Sequence, residues 1–174
     1  MQGYTHVIAG SLIQGGARKA KRPPGVVLAI IAVVGVASHI VLDALSLLTY
    51  HPAHAPPGDP FWIGYHVIAY ALTVYLAVKL RRFWVGIGFA LLPDLDWVQR
   101  EAGKLLGTGP AWRPGAVHDF FASLPGLSHF VALCDARLPN WHEQWWACAG
   151  ELAVGFYAAY LVSRWRPPER LPSG

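Results

Sequence analysis

Residues 25–50 read GVVLAIIAVVGVASHIVLDALSLLTY, an apolar run in which His39 is the only histidine and Asp43 the only carboxylate. A helix needs about 20 apolar residues to cross the hydrocarbon core of a bilayer, so this run is long enough to span it. At a separation of four, the imidazole and the carboxylate lie one above the other on one helix face. An ionisable pair at membrane depth is costly and by default faces a protein interior or a wet cavity, where it marks a working site. The fold and the function therefore turn on what surrounds this pair.

The chain of 174 residues is 54% hydrophobic and 14% charged, and its mean hydropathy is positive. That composition indicates a single integral membrane domain over residues 1–174. The net charge of +4 does not signal nucleic acid, because the basic residues cluster at the ends of apolar runs. The clusters are Arg18, Lys19, Lys21 and Arg22, then Lys79, Arg81 and Arg82, then Arg164, Arg166 and Arg170. Such clusters set membrane orientation and bind anionic headgroups, so the expected partners are membrane lipids. Cys134 and Cys148 lack CxxC spacing and read as free thiols. Residues 1–4 carry no basic region ahead of the first apolar stretch, so a cleaved signal peptide is not expected.

The expected fold is all-α, a polytopic bundle of about four transmembrane helices near 25–50, 61–80, 83–98 and 141–162. A short N-terminal helix over residues 5–16, half-buried or tilted, and short helices in the outer loop 99–140 complete it. Pro93 should kink or end the third span, a break tolerated at membrane depth mainly where it lines a cavity. Asn140 and Glu143 resemble a capping box that starts the last helix at Trp141. The positive-inside rule sends all three basic clusters to the cytoplasm and the 50–60 and 99–140 segments outward. Arg100, Lys104, Arg113 and Arg137 place charge in the long outer loop against that rule. The aromatic residues Phe61, Trp62, Trp97, Trp141, Trp145 and Trp146 form an outer belt, and Trp84 and Trp165 an inner one. The expected location is a bacterial inner (cytoplasmic) membrane.

This topology gathers nearly every candidate polar group into one leaflet. His39 and Asp43 lie in the outer half of the first span, His66 near the outer end of the second, Asp94 and Asp96 just past Pro93, and Glu151 two to three turns into the last helix. His118, Asp119 and His129 lie in the outer loop, and His6 in the terminal segment. Histidine nitrogens and carboxylate oxygens are the usual ligands of zinc and similar divalent metals. Such a metal would lower the pKa of bound water to near neutrality, with His118 or Glu151 as the proton carrier. Each residue also has a plainer reading. His39 and Asp43 are a helix-packing hydrogen bond, and Asp94 and Asp96 serve the first-turn amides of a helix that follows proline. On the same reading His6 is a satisfied core histidine, His118 and His129 are solvated loop residues, and His51, His54 and His142 are interfacial.

The segments YTHVIAGSLI (4–13), ASHIVLDALSLLTYHP (37–52), ALLPDLDW (90–97) and VHDFFASLPGLSHF (117–130) together resemble a family of small membrane-bound metal-dependent hydrolase-like proteins. The shared pattern is an N-terminal Thr-His, a Ser-His-x-x-x-Asp helix, a Pro-Asp-x-Asp turn and a later pair of histidines. The resemblance implies that His6, His39, Asp43, Asp94, Asp96, His118 and His129 stand at metal-ligand positions. It also implies a metal-dependent hydrolase, and the depth of the site in the membrane makes a phospholipid or similar amphiphile the expected substrate. Two other functions are open: a non-catalytic accessory subunit of a larger membrane complex, or a pigment- or haem-associated protein with His39 or His66 as axial ligand.

Overall fold

The computed structural model describes residues 2–52, 58–113 and 115–164, and those residues are helical with no strand. His54, Trp165, Arg166 and Arg170 lie outside the described residues. The helices are α1 (Gly3–Lys19), α2 (Pro24–Ala44), α3 (Pro60–Lys79), α4 (Trp84–Leu91), α5 (Leu95–Leu105), α6 (Ala116–Ala122), α7 (Leu127–Arg137) and α8 (Cys148–Arg164). A 3-10 turn, Leu45–Leu48, extends α2, and another, Trp145–Ala147, leads into α8.

Three helices are long and apolar enough to cross a membrane: Pro24–Leu48, Pro60–Lys79 and Trp145–Arg164. Their mean hydropathies are 2.6, 1.6 and 1.2, yet only 28%, 28% and 22% of their most apolar stretches are buried inside the protein. Val33 of α2, Val67, Val74 and Val78 of α3, and Phe156, Tyr157 and Leu161 of α8 are all exposed. Apolar faces this continuous call for a lipid environment or a partner. Local chemistry sets the helix starts. Pro60 occupies the first turn of α3, where no amide hydrogen is missed, and Asp59 accepts from the amides of Phe61 and Trp62 at 2.9 and 3.4 Å.

The third expected span, 83–98, is corrected. α4 has eight residues and reaches only about 12 Å at 1.5 Å per residue, well short of the bilayer core. Pro93 has no N–H to offer the carbonyls of Phe89 or Ala90, so α4 stops, the 3-10 turn Leu92–Asp94 follows, and α5 runs on to Leu105. The last helix also begins later than Trp141. The Asn140 side chain accepts from His142 N at 3.0 Å, while Trp141 N donates to Leu47 O and His51 N to His142 O. Those bonds strap the 141–144 segment across the end of α2 in place of a helical turn.

The N-terminal helix is the largest departure from expectation. α1 is longer than 5–16 and lies at the centre of the bundle, packed against α2, α3, α4 and α8. Its buried residues include Tyr4, Val7, Gly10, Ser11 and Gln14. Gly10 and Gly86 bring the backbones of α1 and α4 together, and a Cβ on either would collide with the other's carbonyl oxygen. At the same crossing, Gln14 Oε1 accepts from Gly86 N at 2.7 Å and satisfies a first-turn amide of α4.

Packing also fixes which ends lie together. Tyr50, Tyr65, Ala147 and Cys148 cluster where α2 ends and α3 and α8 begin. At the other end Leu76, Leu80 and Phe83 pack in the same core as Val162, so α3 and α8 run side by side in one direction. Gly15 of α1 faces the Phe83 ring, which brings Arg18 and Lys19 to the end that holds Lys79, Arg81, Arg82 and Arg164.

Candidate metal centre

α4 rises beside α2 from the basic end, and it stops level with His39. There His39 Nδ1 lies 2.7 Å from the carbonyl oxygen of Ala90. A carbonyl can only accept, so Nδ1 carries a proton, and in the neutral form of the ring Nε2 presents a lone pair. That nitrogen lies 3.0 Å from Asp43 Oδ2, one turn further along α2, and 3.8 Å from Asp94 Oδ1, just past the Pro93 break. A buried lone pair facing two carboxylates is repulsive unless a proton or a cation stands between them.

Two more histidines close on the same carboxylate. His6 Nε2, from the first turns of α1, approaches Asp43 Oδ1 at 3.3 Å, and its ring stacks on His39 with centroids 4.1 Å apart. His118 Nε2, from α6, meets Asp43 Oδ2 at 3.2 Å. Donor atoms of His6, His39 and Asp94 lie within 4.8 Å of one another, as do those of His39, Asp43 and His118. Ligand atoms around a tetrahedral zinc, each about 2.0 to 2.1 Å from the metal, stand roughly 3.3 Å apart. The approaches of 3.0 to 3.8 Å match that spacing, and the donor set fits a divalent cation that takes nitrogen and oxygen ligands. His6 and His39 are buried and form the closed wall. The Asp94 and His118 side chains, 41% and 38% exposed, form the open side from which water or substrate would enter.

The two aspartates of the Pro-Asp-x-Asp turn diverge. Asp96 is buried, and both its oxygens are taken: Oδ1 accepts from Trp112 Nε1 at 2.6 Å and Oδ2 from His118 N at 2.8 Å. Burial raises its carboxyl pKa, but the donors from His118, Trp112 and Val117 outweigh that and hold it below the usual value. Asp96 is thus a tether that docks the 112–118 segment and sets the backbone of His118. The His118 ring is held above the ordinary histidine value by its hydrogen bond to Asp43, against an opposing push from burial.

Other candidates lie elsewhere. His129 is exposed on α7 and belongs to neither donor group. Glu151 is also outside both groups. It is buried on α8 at the start of α1, its Oε1 accepting from Gln2 N and its Oε2 from Tyr65 OH, each at 2.8 Å. His66 hydrogen-bonds to Trp62 O of its own helix at 2.8 Å and stacks on the Trp62 ring. Cys134 and Cys148 are free and buried. Residues that sequence reasoning did not single out include Ala90, whose carbonyl sets the His39 tautomer, and Trp112, whose indole anchors Asp96. The signal for Ala90 was present in Pro93, which cannot donate three residues back any more than four.

No protein-family model, curated protein or solved structure matches the chain, so the site is argued from its own geometry.

Proposed function

We propose that the chain is a membrane-embedded metal-dependent hydrolase whose centre is His6, His39, Asp43 and Asp94, with His118 as the proton carrier. The single observation behind this reading is the orientation of His39: its proton is committed to Ala90, and its lone pair faces two carboxylates with His6 and His118 beside it. Zinc is the proposed ion, because the donors are imidazole nitrogens and carboxylate oxygens in a compact, partly open set. A divalent cation held there supplies the charge that lowers the pKa of a bound water toward neutrality. His6 and His39 exclude bulk water from the closed side, and Asp43 orients His118. From the open side, the His118 imidazole takes the proton as water attacks and delivers it to the leaving group.

The substrate on this reading is an ester or phosphoester of a membrane amphiphile, the class of molecule that reaches such a site from the surrounding bilayer. The basic end faces the cytoplasm of a bacterial inner membrane and the centre opens toward the other side. The test is metal analysis of the purified protein alongside hydrolysis of a lipid ester. One zinc per chain, lost together with hydrolysis in both His39→Ala and Asp94→Ala, supports the proposal. Metal-free protein that co-purifies with a larger membrane complex would overturn it in favour of an accessory subunit, and a visible absorption band would favour a pigment protein.

A further inference from the structure

Next to Asp94 and His118 in the chain lies an open, groove-like cavity of about 450 Å³ lined by Leu92, Leu95, Trp112, Val117, Phe120 and Phe121. Its walls are sequence neighbours of the proposed site residues: Leu92 and Leu95 bracket Asp94, and Val117 precedes His118. The only side-chain hydrogen-bonding group among these six is the Trp112 indole, and its N–H is already given to Asp96. A sugar, a peptide or a nucleotide would find no side-chain partner there. The volume lies toward the lower end of small-molecule pockets, roughly 300 to 1,000 Å³. Leu95, Trp112 and Phe120 are themselves exposed, and Phe120 is 60% exposed, so the mouth is as apolar as the interior.

We propose that this cavity is an acyl-chain subsite, and that it holds one hydrocarbon chain of a membrane lipid with the polar end of the molecule directed to Asp94 and His118. The three long helices with outward-facing apolar surfaces make lipid the surrounding solvent, and an apolar mouth admits a chain from that solvent without exposing it to water. Leu92 and Leu95 on one wall and the 117–121 segment on the other carry the polar end's candidate partners between them. The volume therefore suits one inserted chain, with Phe120 and Phe121 among its walls. The identity of the polar end rests on the hydrolase reading; binding of the chain does not.

The test uses the full-length protein in phosphatidylcholine nanodiscs with a palmitoyl lysophospholipid that carries a photoreactive diazirine in its chain, with adducts mapped by peptide mass spectrometry. Adducts concentrated on residues 116–121 and competed away by unlabelled lysophospholipid are expected. Adducts on Val33, on the exposed face of α2, are expected to resist competition. Ala116→Trp, which adds bulk to the cavity wall, should reduce the 116–121 adducts at least fivefold while leaving Val33 adducts and zinc content unchanged. Phe121→Ala, which enlarges the cavity, should retain them and serves as the control if the first variant does not fold. Labelling of 116–121 that resists competition, as at Val33, would overturn the subsite. Zinc bound at one per chain without competed labelling defeats the subsite and leaves the hydrolase reading standing. Competed labelling of metal-free protein does the reverse.

Discussion

Two carboxylates in this bundle, half-buried Asp43 on α2 and buried Glu151 on α8, answer to opposite surroundings. Glu151 sits among donors: Gln2 N and Tyr65 OH each give it a hydrogen bond, and the neighbouring Gln2 Nε2 and Tyr4 OH have no partner among the described residues. Asp43 sits among the ring nitrogens of His6, His39 and His118, with the Asp94 carboxylate on the other side of His39 Nε2. A region rich in donors suits an anion or a water, and a region rich in acceptors suits a cation. Burial of an ionisable group therefore does not mark the site by itself; the kind of group gathered around it does.

The largest effect expected from this contrast is on metal content. His39→Ala removes both a central lone pair and the tie to Ala90, and should lower zinc affinity at least 100-fold as measured by competition with a chromophoric chelator. Glu151→Gln should leave zinc at one per chain. Its cost should appear in thermal unfolding, at about 1 to 3 kcal/mol for weakening a buried charged hydrogen-bond pair. Equal zinc loss in the two variants would erase the distinction between the regions.

A sharper comparison separates residues two apart. Asp94→Ala removes a proposed ligand, whereas Asp96→Asn only weakens the tether under His118. Outer partners of metal ligands typically contribute 10- to 100-fold in affinity or activity, so Asp96→Asn should reduce hydrolysis by about tenfold with zinc still bound. Zinc loss as complete as in Asp94→Ala would make Asp96 a ligand.

The smallest effect is on pH dependence, and its sign reverses with metal. In metal-free protein the raised pKa of His118 favours the protonated ring. Its contribution to stability is present in full below the unfolded-state value of about 6.5 and is lost as the pH rises through the folded value. The Tm of metal-free protein should therefore fall between pH 6 and pH 8 by more than that of His118→Ala. Zinc requires deprotonated imidazoles, so the stabilisation conferred by zinc should grow over the same interval.

Much of this architecture was legible in the sequence, for reasons that also explain the failures. α2 with its 3-10 extension to Leu48, and α3, are apolar throughout, and hydropathy places their ends within a residue or two. The central position of α1 is hidden in the sequence because much of its buried face is Thr5, His6, Gly10, Ser11 and Gln14, which look polar in a list and are buried by close helix contact. The break at Pro93 is legible too, and it divides residues 83–98 into α4 and α5, neither of them of spanning length. His6, His39, Asp43, Asp94 and His118 share a polar junction that a one-leaflet topology could anticipate. The separation of Asp94 from Asp96 required the position of Trp112, sixteen residues away in an irregular segment with no periodicity to read.

The central claim is that His39 Nε2 and its neighbours hold a cation, and zinc-edge X-ray absorption on the full-length protein tests it most directly. The expected result is a shell of nitrogen and oxygen at about 2.0 to 2.2 Å with imidazole scattering that is lost in His39→Ala. An absence of bound zinc, or a sulfur shell near 2.3 Å pointing to Cys134 or Cys148, would contradict it.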